Sequence, residues 1–176
     1  MQQIPLSDLQ IPLGRLVEWI PAYPAHRAFA HRHATLNQRK YFAAALLARE
    51  EKAPGTNWIG VTFTIAGQLD EEALEKALNV FVQRHDVLRW TFELHKEGLR
   101  CHRIQDSDLM LQRADLGWFA SCDALREFLQ GRFNTEVSPL SWPLIRMGSA
   151  IAETQTTVYV VCPRIAQRAV TSSQPA

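Results

Sequence analysis

Apolar and polar positions alternate along the chain in ways that predict most of its elements. In GRLVEWI, Gly14 to Ile20, Leu16 and Glu18 oppose Val17 and Trp19, the two-residue period of a strand, and the prolines of PAYP predict its end. A loop rich in His and Arg, AHRAFAHRHAT, leads to LNQRKYFAAALLAREE. That stretch reads as a helix from Asn37 to Glu51 with Tyr41, Ala44, Ala45 and Ala48 on its packed face, stopped by Ala53–Pro54–Gly55. TNWIGVTFTIAG sets Ile59, Val61, Phe63 and Ile65 against Gly60, Thr62 and Thr64, the pattern of a half-buried strand.

The strongest helical signal is QLDEEALEKALNVFVQRHD. Asp70 is a natural N-cap, Glu71 and Glu72 sit where the helix dipole favours negative charge, and Leu69 and Leu74 flank the cap as a hydrophobic staple. Leu74, Ala77, Leu78, Phe81 and Val82 make its apolar stripe. VLRWTFELHKEGLRCHRI reads as two strands turning at Lys96–Gly98, and LMLQRAD as another short strand. SCDALREFLQGRF predicts a helix of about ten residues, capped by Ser121 and burying Leu125, Phe128 and Leu129. WPLIRMGSAI and TTVYVVC predict a final antiparallel pair linked through Ala152–Thr156. The order is that of an α+β fold, with helices lying on a mixed or antiparallel sheet.

Composition narrows this only a little. The 176 residues suffice for one domain, or for half of a larger two-lobed protein. Nineteen Lys and Arg against eighteen Asp and Glu leave a formal charge of +1, which supplies no electrostatic reason for a nucleic-acid or anionic-membrane partner. Cys101, Cys122 and Cys162 are an odd number at wide spacing, so neither a disulfide framework nor a C-x-x-C metal pair is expected. With no leader-like N-terminus and no apolar stretch of membrane-spanning length, the expected setting is the reducing cytoplasm.

Candidate chemistry is sparse. The HRH of His31 to His33 offers two imidazoles to a metal, but a third ligand at suitable spacing is not evident, and a solvated loop is the expectation. Cys162 ends an apolar strand, where a thiol nucleophile would need a base or an electropositive pocket. No phosphate-cradling Gly-rich loop and no G-x-S-x-G elbow occurs. RHDVLRWTFE, Arg84 to Glu93, differs because Arg84, His85, Asp86 and Arg89 meet at one helix–strand corner. They are read as tying helix to strand through charge-assisted hydrogen bonds, with His85 as a general base the competing reading.

LDEEALEKALNVFVQRHDVLRWTFE resembles the first core motif of condensation domains, R-H-x-x-L-R after a Leu-rich helix, matched by Arg84, His85, Leu88 and Arg89. LNQRKYFAAALLARE is similar to the family's first helix region, and Pro143–Leu144 to the PL dipeptide that opens the strand before the active-site motif. The opening LGRLVEWIPAYP looks more like the polyketide-associated acyltransferases, and the resemblance runs from Leu13 to Cys162. It implies the N-terminal lobe, residues 1–162, of a two-lobed, chloramphenicol acetyltransferase-like fold, and acyl transfer from a carrier protein or coenzyme A thioester to a hydroxyl or amine. No metal or organic cofactor is implied, and the setting is lipid or secondary metabolism.

In the family the chemistry belongs to H-H-x-x-x-D-G, whose second His deprotonates or orients the acceptor. TTVYVVC looks like the strand that presents that motif, yet PRIAQRA, Pro163 to Ala169, follows it. Arg164 stands where the second His is expected, and an always-protonated guanidinium cannot act as a base. No residue here inherits the catalytic role, and residues 163–176 are expected to be a divergent or disordered tail. A change of reading frame near codon 162 accounts for losing apolar alternation and resemblance at one point, and genuine divergence is the alternative. The competing function is a non-catalytic interaction module that self-associates or pairs with a second lobe.

Overall fold

The computed structural model describes residues 11–24, 31–50 and 58–163. The element order is β1 Arg15–Ala22, β2 His31–His33, α1 Leu36–Glu50, β3 Trp58–Ala66, α2 Glu71–Arg84, β4 Trp90–His95, β5 Gly98–Arg103, β6 Met110–Trp118, α3 Cys122–Glu136, β7 Arg146–Ile151 and β8 Gln155–Pro163. Five strands form one sheet in the order β3-β8-β7-β1-β6, and three form another in the order β2-β5-β4. Every paired neighbour is antiparallel, so the α+β expectation holds with the mixed-sheet option removed.

The five-stranded sheet is covered on both faces, and its central strands are apolar on both. On one side Val17, Trp19, Met147 and Val158 pack under Leu74, Leu78 and Val82 of α2. On the other, Leu16, Ala150, Tyr159 and Val161 pack under Leu125, Leu129 and Phe133 of α3. Both helices start as their sequences predict: Asp70 Oδ1 accepts from the Ala73 N–H at 2.9 Å, and Ser121 Oγ from the Ala124 N–H at 3.1 Å. The second helix runs to Glu136, longer than the apolar spacing suggested, and buries Phe133 where Phe128 is only partly covered.

Burying both faces leaves Glu18 of β1 fully enclosed. Its carboxylate accepts from Arg132 Nη2 on α3 at 2.8 Å and from the Tyr159 hydroxyl at 2.8 Å, which replaces the water it gives up. Gly148 makes the second bond possible. It lies between the two in register, opposite Glu18 on one side and Tyr159 on the other, and a Cβ there would overlap the phenol and the Val17 carbonyl oxygen.

The smaller sheet packs one face on α1 through Phe42, Trp90, Leu99 and Cys101, with Leu46 and Phe92 beside them. Here the expected helix face is corrected: Phe42 and Ala45 point inward, whereas Tyr41 and Ala44 are exposed. Alanines do not discriminate faces, and the aromatic Phe42 does. The side chain of Ala48 and the stop at Ala53–Gly55 lie outside the described residues, as do Glu51 and residues 164–176. Strand β3 also departs from the expectation. Val61 and Phe63 pair with Val160 and Val158 on the face that α2 covers, yet they are 44% and 48% exposed because β3 is an edge strand.

Candidate functional site

The corner between α2 and β4 gathers Arg84, His85, Leu88 and Arg89. α2 ends at Arg84, and the His85 N–H still donates to the Phe81 carbonyl at 3.3 Å as the C-cap. The chain then tightens into a 3-10 turn, Asp86–Arg89, closed by the Leu88 N–H on the His85 carbonyl at 2.9 Å. This turn carries the chain from α2, on the large sheet, to β4, in the small one. Leu88 is buried in the large core beside Leu78 and Val82.

Arg89 is only 3% exposed. Its Nη1 donates to the Ile104 carbonyl at 2.9 Å, and its Nη2 is paired with Asp86 Oδ1. The Ile104 N–H returns a bond to the Arg89 carbonyl at 2.9 Å, and Arg103 Nη1 reaches the other Asp86 oxygen at 3.1 Å. One guanidinium therefore links the turn to the strand end two connections later. A planar, always-charged fork suits that task better than an ammonium.

Arg84 and His85 face outward by comparison. Together with Lys76, Ala77, Val80 and Phe81 they line a shallow, open groove along α2. The His85 ring rests 4.7 Å from that of Phe81, tilted by 58°. Among the described residues this corner shows no nucleophile in a hydrogen bond with the His85 ring.

Strand β8 runs the full nine residues to Pro163 and is paired with β3 over its whole length, Trp58 opposite Pro163. Cys162 is directed to the α2 side of the sheet, among the partly covered members of that core. Burial pushes its thiol up to about 11, which opposes formation of the thiolate a nucleophile requires. Arg164, the residue standing in the motif position, lies outside the described residues.

The HRH segment forms β2, pairing with β5 so that His31 lies opposite His102 and His33 opposite Arg100. Sequence reasoning passed over the neighbours this creates. His102 and, on β4, Glu93 and His95 bring their ligand-type atoms within 4.8 Å of one another. The signal was an alternation read only for its apolar half: Trp90 and Phe92 share one face, and Glu93 and His95 occupy the other.

The two antiparallel sheets and three helices make an α+β, chloramphenicol acetyltransferase-like fold, shared with the solved acyl transferase and condensation-domain structures on which the chain superposes. No family model and no curated protein matches the chain in sequence. Among solved structures it is similar to the PapA2 acyl transferase, with a TM-score of 0.77 and 18% identity over 91% of this chain and 35% of that one. The starter condensation domain of rhizomide synthetase matches at a TM-score of 0.56 and 16% identity, over 84% of this chain and 40% of that one. The X-domain from teicoplanin biosynthesis matches at 0.54 and 27% identity, over 81% and 30%. The chain thus spans 30–40% of the length of these structures. Among the described residues no helix is long and apolar enough to cross a membrane.

Proposed function

We propose that the chain is the N-terminal lobe of a condensation-type acyltransferase, and that alone it does not turn over. The reaction of the completed protein is acyl transfer from a thioester, on a carrier protein or coenzyme A, to a hydroxyl or amine. The observation that carries this reading is β8. It is the strand on which the resemblance places H-H-x-x-x-D-G, it is built in full, and PRIAQRA follows it in the sequence. In this reading Leu88 seats the turn in the large core, Arg89 ties it to the end of β5, Arg84 ends α2 and His85 caps it, and none of the four is catalytic. The general base is absent from residues 1–176.

The test is an acyl-transfer assay of the whole chain with short- and long-chain acyl-coenzyme A donors and simple alcohol or amine acceptors. Release of coenzyme A at the buffer rate is expected. Turnover above buffer that disappears in His85→Ala would overturn both the inactivity and the structural role of the corner.

One observation favours a second reading, an interaction module. Val61 and Phe63 stand half-exposed on an edge strand, an apolar surface that a second lobe or a second copy would cover. Sedimentation over a concentration series tests it. Association weakened by Phe63→Glu supports the module, and a monomer at every concentration removes its support.

A further inference from the structure

The side of the small sheet opposite α1 carries a cluster of three ligand-type side chains, Glu93, His95 and His102. Antiparallel partners share a face, so the β4–β5 register sets Thr91 beside His102 and Glu93 beside Arg100, with His95 two residues beyond Glu93 on the same side. Glu93 Oε2 is 3.0 Å from His95 Nε2 and 3.3 Å from His102 Nε2. The residue holding the cluster at its base, His102, is 6% exposed, whereas the side chains of His95 and Glu93 are 38% and 63% exposed. The arrangement is one fixed imidazole under two arms that open to solvent.

The geometry points to a divalent metal site of the zinc class formed by Glu93, His95 and His102. A tetrahedral ion with bonds of about 2.0–2.1 Å holds its ligand atoms about 3.3 Å apart; the two separations from Glu93, now bridged by hydrogen bonding and ion pairing, are 3.0 and 3.3 Å, and all three ligand atoms lie within 4.8 Å of one another. Two imidazoles and one carboxylate suit zinc, cobalt or a similar borderline ion rather than calcium or magnesium, which take oxygen ligands. Two ligands at i and i+2 on one strand and a third on the adjoining strand are anchored by the hairpin backbone, so little ordering is left for the ion to impose. Arg100 stands opposite Glu93 in register, and its Nη2 is engaged by Glu97 Oε2 at 2.6 Å. Three protein ligands leave the fourth position to water. In register, His31 of β2 lies directly across from His102. An ion here pins β4 to β5 on the side of the sheet opposite α1.

The experiment titrates the untagged full chain with zinc chloride by calorimetry, and with Co2+ while recording visible absorption. One equivalent is expected to bind, with the intense visible bands of a four-coordinate Co2+ site, and saturating zinc should raise Tm. His95→Ala is the main variant, because its side chain is partly exposed and circular dichroism can verify that it folds. Losing an outer-shell partner costs about 10–100-fold in metal affinity, so loss of the His95 ligand should cost about 100-fold or more. His102→Ala should do the same, and His33→Ala, at an exposed residue opposite Arg100, should leave affinity unchanged. No saturable binding, or zinc affinity unchanged in both His95→Ala and Glu93→Gln, would overturn the assignment. So would loss of binding in His33→Ala with retention in His95→Ala.

Discussion

The large sheet has helices on both faces, α2 on one and α3 on the other, while the small sheet has α1 on one face and a polar surface on the other. The consequence shows residue by residue. On β1 the four positions from Leu16 to Trp19 are all fully buried, and the one charged residue among them, Glu18, is held by Arg132 and Tyr159. On β4 the alternation survives, with Trp90 and Phe92 toward α1 and Glu93 and His95 toward solvent. In the doubly covered sheet the buried carboxylate of Glu18 is satisfied internally, whereas Glu93 and His95, on the side of the small sheet opposite α1, reach solvent.

The largest contrast should come from the doubly covered core. Phe133 is 2% exposed, with its ring 5.3 Å from Trp58 and 5.4 Å from Tyr159. Phe133→Ala should cost about 3–5 kcal/mol in chemical denaturation, whereas His95→Ala on the free face should fall within about 0.5 kcal/mol of the parent without metal. Equal losses would erase the distinction between the sheets.

The seam between the sheets comes next. Arg89→Ala removes the fork that joins Asp86 to the Ile104 carbonyl, and hydrogen bonds to charged groups contribute about 1.5–3 kcal/mol. Hydrogen exchange should rise first at the 3-10 turn and at the Ile104 amide. Arg89→Lys should recover only part of the loss, because one ammonium cannot hold both partners in the same fork. If exchange rises uniformly over both sheets, Arg89 is not a seam.

Gly148→Ala tests the buried row Glu18–Gly148–Tyr159. A methyl group displaces the phenol from Glu18, and overpacking of this kind costs about 1–3 kcal/mol. Tyr159→Phe combined with Gly148→Ala should then cost less than the sum of the two single changes, since both break one bond. Full additivity would separate the glycine from the tyrosine.

The smallest effect belongs to the rim of the large sheet. The Gly117 N–H first, and then the Arg15 guanidinium, hold the Asp115 carboxyl below the usual aspartate range. Because the folded value is the lower one, the unfolded chain takes up this proton first as pH falls. The stabilisation is therefore present above the ordinary aspartate value of about 3.9 and is lost as pH drops through the folded value. Asp115→Asn should be slightly less stable at neutral pH and indistinguishable from the parent at strongly acid pH. A difference that persists in acid would remove the electrostatic cause.

Much of this was readable from the chain. Caps at Asp70 and Ser121, the β1 alternation, the hairpin turning at Lys96–Gly98 and the final pair β7–β8 follow from local signals that tertiary packing reinforces. The misses share one cause, the absence of long-range information in local pattern. In α1, a run of alanines left the inward face to Phe42, which no periodicity of small residues marks. Strand β3 alternates as a half-buried strand would, but only the sheet order reveals that it is an edge. The ligand-type cluster was invisible because Glu93 and His95 lie seven or more residues from His102 in sequence, and the register alone brings them together.

In the proposed reading a condensation-type lobe runs to the end of β8 and PRIAQRA stands where the catalytic motif is expected. The most direct measurement is the nucleotide sequence from codon 150 onward, read in all three frames. Another frame is expected to continue from Cys162 into His-x-x-x-Asp-Gly and a second lobe, and the repaired chain to transfer acyl groups. If no frame holds the motif, the truncated-acyltransferase reading is contradicted and the interaction module takes its place.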